Sequence, residues 1–239
     1  MARTYVKQRP TKELIMQVGL QLFLKDGFKA TTCSRVAKEL KISPGNMTFH
    51  YPTKEHLLTE LVQELGDFQW MVIKEAHQEG ESFLLALCME LATMAAYCEQ
   101  SETVRDLMLA AYTNPMPLAM IRKNDVTRAP MIFGEFCPQY TEADYARIQN
   151  LVSGIEYAML SSESTEDNPL DKRIASALDC IMMLYQVPES LRKQKVEKVL
   201  ARDYMQEGAE LLESFKVYVN DVNARAVKEA QRHKSHVGK

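Results

Sequence analysis

The tightest constraint on this chain is the punctuation between residues 11 and 58, TKELIMQVGLQLFLKDGFKATTCSRVAKELKISPGNMTFHYPTKEHLL, which reads as three short helices and the start of a fourth. Thr11 suits an N-cap, and Leu14, Ile15, Val18, Leu22 and Phe23 recur at helical spacing to form one apolar face. Asp26-Gly27 stops that helix, because glycine takes the left-handed conformation at C′ without a Cβ clash, and Phe28 can fold back onto it. A second helix starts after Thr31-Thr32, whose hydroxyls can accept from an unpaired amide, and runs through Leu40 with Val36, Ala37 and Leu40 inward. Lys41-Ile42 leaves only a short turn before Ser43, a good N-cap, and Pro44, whose missing N–H costs nothing at the first helical position. Pro52 disfavours helix at Tyr51 and so ends the third helix early. Thr53 is placed to cap a long fourth helix beginning at Lys54.

Two helices joined by about four residues, the second short, polar on one face and presented by its N-terminus, match the geometry that enters a DNA major groove. Here the segment resembles the TetR family of bacterial repressors, whose recognition helix reads S-x-G-x-L-Y-x-H-F followed by x-x-K-E-x-L. This chain carries Ser43, Gly45, Met47 and Phe49-His50-Tyr51, then Lys54-Glu55 and Leu57. It departs at Thr48, where members often place a tyrosine, and at Phe49, which replaces an aromatic that often carries a phosphate-binding hydroxyl. The resemblance implies that Ser43, Pro44, Gly45, Asn46, Thr48, Phe49 and His50 lie at or near the groove. It also implies that Lys54 approaches a phosphate beside free helix amides, and that Arg35 is a backbone contact. Charge supports this independently: residues 1–55 hold ten Lys or Arg against four acids, a balance of +6, so the remainder of a chain of net −3 carries −9. A basic head on an acidic body suits a protein of which one end meets phosphate.

The rest of the chain is long enough to bury a core of its own, and its 3.6-residue periodicity and few glycines and prolines make that core helical. Helices are expected at 54–79, 82–99, 102–113, 116–135, 141–162, 169–186 and 189–231, separated by Glu79-Gly80, Asn114-Pro115, Pro138, Asn168-Pro169 and Pro188. The reading is all-α: an N-terminal helix-turn-helix domain, 1–53, followed by a larger helical ligand-binding and dimerisation domain, 54–239, with 189–231 as an extra C-terminal helical segment. Since the helix from Thr53 starts in the head and runs into the body, its movement would move the head. The resemblance implies that a small molecule exploits this by changing the spacing of two recognition helices in a dimer.

Phe68, Trp70, Met71, Met89, Met94, Tyr97, Met108, Tyr112, Met116, Met120 and Phe133, with Phe83, are rich in methionine and aromatics, which suits an adaptable pocket for an apolar or amphipathic ligand. Taken singly, each suits ordinary core packing better; it is the set that suits a pocket. The small residues Gly154 and Ala158, with Leu151 and Ile155, permit close helix approach, and the next helix offers Ile174, Leu178, Ile181 and Met182. The resemblance implies that this pair forms a four-helix bundle across a two-fold axis; packing within one subunit would look the same. The segment after Pro188 departs from family members that end near the dimer helices, and either wraps the body or extends the dimer contact; its residues 233–239 are expected to fray.

No C-x-x-C pair, H-E-x-x-H, G-x-S-x-G elbow or phosphate-binding glycine loop appears, and the acids are scattered as solvated helix faces would scatter them. An enzyme, a metal site and a cofactor are therefore not expected. Five cysteines, no signal peptide and no apolar run near 18 residues point to the cytoplasm and away from a membrane. The expected partners are double-stranded DNA bearing a palindromic operator, a small-molecule effector and a second copy of the chain. The competing readings are a helical DNA-binding protein without an effector, and a partner-binding protein whose head no longer reads DNA.

Overall fold

The computed structural model describes residues 12–237, with side chains through 221. Thr11 lies outside the described residues, as do the basic residues 3, 7 and 9. Among the described residues there are eleven helices and no strand. They are α1 (Lys12–Asp26), α2 (Cys33–Glu39), α3 (Pro44–His50), α4 (Lys54–Gln78), α5 (Phe83–Gln100), α6 (Glu102–Thr113), α7 (Pro115–Phe133), α8 (Glu142–Ser161), α9 (Leu170–Leu184), α10 (Glu189–Leu200) and α11 (Tyr204–Val237).

The head is built by its caps. Gly27 takes φ +84° and donates its N–H to the Phe23 carbonyl at 2.9 Å, and Phe28 folds back with its ring 5.3 Å from that of Phe23. Thr32 accepts from the Arg35 amide at 3.2 Å to start α2, and Ser43 accepts from the Asn46 amide at 3.2 Å to start α3 with Pro44 in its first turn. Lys41 absorbs the sharp turn between them in the left-handed region, at φ +54°. Thr53 stands at the N-cap of α4, but its hydroxyl pairs with His56 Nδ1 at 3.0 Å, so it does not cap the helix with its side chain.

Ile15, Phe23, Val36, Met47, Tyr51 and Leu57 close the head's core. Leu57 belongs to α4 and seats in a notch on α1: a Cβ at Gly19 would fall 2.5 Å from its Cδ2. In the body, α5 is apolar over most of its surface and largely buried, as a central helix must be, with α4, α6, α9, α10 and α11 packed against it.

The C-terminal segment 189–231, which the sequence leaves open as one piece or two, is two helices. The break is chemical: Ala201 ends α10, Asp203 Oδ1 accepts from the Gln206 amide at 3.0 Å to begin α11, and Arg202 between them reaches Glu81 and Glu207, each at 2.7 Å. α11 wraps the body, lying along α5 and crossing α4 and α1, and its backbone is helical to Val237. Replacing Leu57 with alanine empties the notch between head and body, and its cost, about 2–5 kcal/mol, is expected as a lowered urea midpoint.

Candidate nucleic-acid interface and the cavity behind it

The third helix divides cleanly. Met47 and Tyr51 are 1% exposed and anchor it, whereas Ser43, Pro44, Gly45, Thr48 and Phe49 face outward. Phe49 is 83% exposed, with its ring 5.2 Å from His50 in an edge arrangement. Nothing lies within 4 Å of where a Cβ on Gly45 would stand, so packing within the chain does not require glycine there. Thr48 spends its hydroxyl on its own helix, donating to the Pro44 carbonyl at 3.1 Å. Asn46 is half-buried.

Two basic candidates are held in place. Arg35 pairs with Asp26 at 2.8 Å while remaining part-exposed. Lys54 points inward: its ammonium donates to the carbonyls of Phe28 at 2.9 Å and Thr31 at 3.4 Å, and stands 4.1 Å from the Phe28 ring centroid. In this conformation it ties the α1–α2 loop to the start of α4 instead of presenting a free charge. Sequence could not show this, because the turn carbonyls that capture it lie more than twenty residues away.

Behind the head lies a cavity of about 410 Å³. Phe68, Met89, Met94, Tyr97 and Met108 line it, as expected. Tyr112 and Phe133 instead line an adjoining void of about 80 Å³, joined to the first at Met94 and Met108. Trp70, Met71, Met116 and Met120 line neither. Trp70 stacks on Phe83 at 5.9 Å, Met71 and Met116 are exposed, and Met120 is half-buried against the core. α4 turns Leu61, Leu65, Phe68 and Val72 inward, which leaves Trp70 and Met71 on another face. Two walls escaped the sequence reading: Leu20 and Leu24 from α1, and Leu211, Leu212 and Phe215 from α11. Leu20 and Leu24 lie off the α1 face that helical spacing picks out, and nothing local shows what Leu211, Leu212 and Phe215 face.

Both α1 and α11 tie the cavity to the head. Thr103 on α6 donates to the Leu24 carbonyl at 2.7 Å, and Asp106 accepts from the Lys29 amide at 2.9 Å. Gln17 on α1 donates to Asn220 on α11.

The smaller void is polar. Arg128 donates to the Gly66 carbonyl at 2.5 Å and stands 3.8 Å from Glu90 and 4.0 Å from Asp125. Gln149 donates to Asp125 at 2.8 Å, Tyr185 to Gln149 at 3.1 Å, and Tyr112 to Glu156 at 3.1 Å. Burial pushes the Glu90 carboxyl up to about 7, with Arg128 opposing and Asp125 adding to the shift. Burial likewise raises Asp125 to about 6 against Arg128, and raises Glu156, with Asp125 reinforcing. Burial also pushes the thiols of Cys88 and Cys98 up to about 12, which leaves them unreactive. Among the described residues no cluster of three or more His, Cys, Asp or Glu is placed to hold a metal, and no helix is long and apolar enough to cross a membrane.

On the opposite flank α8 exposes Leu151, Gly154, Tyr157 and Ala158, with Ile155 part-exposed, and α9 adds exposed Met183. Ile174, Leu178, Ile181 and Met182, expected to face a second copy, are instead 0–2% exposed within the chain. They form the stripe by which α9 packs on α5 and α8, so its outer face is Ser176, Cys180 and Met183.

The short exposed α3 behind a tight turn, on a basic head joined to a larger helical body, defines the class as a helix-turn-helix protein. Residues 15–61, the N-terminal domain, match the family described as bacterial regulatory proteins, tetR family. QacR of Staphylococcus aureus, an HTH-type transcriptional regulator, is 39% identical over 59 residues, covering 25% of this chain and 31% of QacR. The chain thus spans less than a third of that relative. UidR of Escherichia coli, likewise an HTH-type transcriptional regulator, is 21% identical over 188 residues, covering 74% of this chain and 94% of UidR. The fold is that of Thermus thermophilus FadR, a TetR-family transcriptional repressor solved in complex with lauroyl-CoA: TM-score 0.55 at 18% identity, covering 75% of this chain and 97% of FadR.

A raised carboxyl is a stability statement. Glu90 binds its proton more tightly folded than unfolded, so its contribution is present below about 4.5 and lost as pH rises through about 7. Glu90→Gln lacks that loss, so thermal unfolding at pH 5 and pH 8 is expected to show the variant gaining on the native chain at the higher pH.

Proposed function

We propose that this chain is a dimeric, sequence-specific DNA-binding regulator, a repressor released from a palindromic operator by an apolar or amphipathic small molecule. One observation carries the reading: α1, which packs on the α2 that holds α3, and α4, which follows α3 in the chain and packs on α1, are also walls of the 410 Å³ cavity. Filling the cavity therefore acts on the head without any relay, provided the ligand favours one tilt of α4 over another.

On this reading α3 enters the major groove. Gly45, with open space above it, lets the DNA backbone approach, and Phe49 offers an apolar face to a sugar or a thymine methyl. Thr48 and Pro44 sit on the same exposed surface, His50 and Asn46 flank it, and Ser43 presents the helix N-terminus. Arg35 supplies a backbone contact from α2, and Lys54 does so only if it leaves its loop carbonyls. Domains 1–53 and 54–239 are the units that move relative to one another. The exposed face of α8, Leu151, Gly154, Ile155 and Ala158, with Met183, is the dimer contact, and it sets the two recognition helices about one helical turn apart.

Selection of duplexes from a random pool at two salt concentrations is expected to enrich a palindrome whose affinity falls steeply with salt, by about 0.9 log units per log unit of salt for each phosphate neutralised. No enrichment at either salt would move the weight to a partner-binding helical protein. Phe49→Ala, on a fully exposed ring, is expected to leave the melting temperature unchanged while weakening the selected site at least about tenfold. Ala158→Glu is expected to yield monomers by sedimentation and to lose the palindrome.

A further inference from the structure

We infer that the cavity is selective for an amphipathic cation, whose apolar tail lies among Leu61, Phe68, Met89, Leu107 and Phe215 and whose quaternary or protonated amine stops at Glu90. This rests on the effector reading above and names the chemistry of the ligand.

Charge along the route is the first argument. Besides Glu90, the charged residues of the lining are Glu79, Glu81, Arg202, Glu207 and Glu210, all at least part-exposed, and Arg202 is already neutralised by its 2.7 Å pairs with Glu81 and Glu207. The way in is therefore acidic, which attracts cations and repels anions. Between that rim and the interior the wall is apolar until Glu90, which borders both the large cavity and the small void.

The second argument is what Glu90 lacks. Three carboxylates share one guanidinium, and two of the three are served by neutral donors: Asp125 by Gln149 and Glu156 by Tyr112. Arg128 directs its short hydrogen bond to the Gly66 carbonyl and leaves Glu90 at 3.8 Å, beyond hydrogen-bonding range. Oε2 of Glu90 is shielded from solvent and has no hydrogen-bond partner among the described residues. A buried carboxylate left in that state is costly, and a cation placed beside it offsets the cost.

The surrounding surface suits a soft cation. Met89 and Met94 supply thioethers, Gln69 donates to the Met94 sulfur, a weak acceptor, at 3.3 Å, and burial, with the Glu90 charge adding to it, raises the Tyr97 phenol. The burial that holds the Glu90 carboxyl near 7 leaves it part-protonated at neutral pH, and an arriving cation draws that proton off.

The test is calorimetric titration of the full chain with three probes that share one tail, decyltrimethylammonium, decanol and decanoate, each below its aggregation threshold. The expected order is the cation at least about tenfold tighter than the alcohol, and the carboxylate weakest. In Glu90→Gln the cation loses its advantage while the alcohol binds as before. An alcohol that binds as tightly as the cation in the native chain overturns the inference whether or not the variant folds, and so does a folded variant that keeps the preference. Absence of binding by all three overturns the effector reading itself.

Discussion

Leu57 seated against Gly19 is the contact on which the rest of the molecule depends. α4 begins just after α3, locks to α1 through that notch, and runs for 25 residues to form one wall of the body's cavity. A leucine fits only because the opposing position has no Cβ. Head and body are thereby joined through a packed helix instead of a linker, and packed helices shift as units between discrete arrangements.

The other connections reinforce that seat. α6 holds α1 through Thr103 and Asp106, and α11, laid along α5, reaches α1 while closing the cavity with Leu211, Leu212 and Phe215. The C-terminal segment is thus part of the cavity wall. A ligand between α4, α6 and α11 would contact the body helices that pack on α1, so its shape would be read at several points of the head's base at once.

What sequence revealed and what it hid follow from the range of the physics. Caps, stops and the proline-opened α3 are local, and Gly27, Thr32, Ser43 and Pro52 act as their chemistry requires. Most body helices begin and end within two residues of expectation, while the sequence leaves the break at Ala201 to Asp203 open, because only the fold shows Asp203 capping α11. The cavity was half legible: methionines and aromatics were flagged, yet which of them face inward depends on helix rotation, and Met71 and Met116 turned outward. The buried acids were read as solvated faces because Glu90, Asp125 and Glu156 stand far apart in the chain, and only the folding of α5, α7 and α8 brings them round Arg128. The α9 stripe was legible as apolar, but a stripe facing a neighbouring helix and one facing a second copy have the same sequence.

The central claim, that the state of the cavity sets the state of the head, is open to a test that needs no ligand. Met108→Trp fills part of the cavity from α6 with a larger ring, and its affinity for the selected operator can be compared with that of the native chain at equal melting temperature. The account predicts a change of at least about tenfold, because a filled cavity shifts α4 and the head it carries. An unchanged operator affinity in a folded variant would contradict it and leave the cavity uncoupled from DNA.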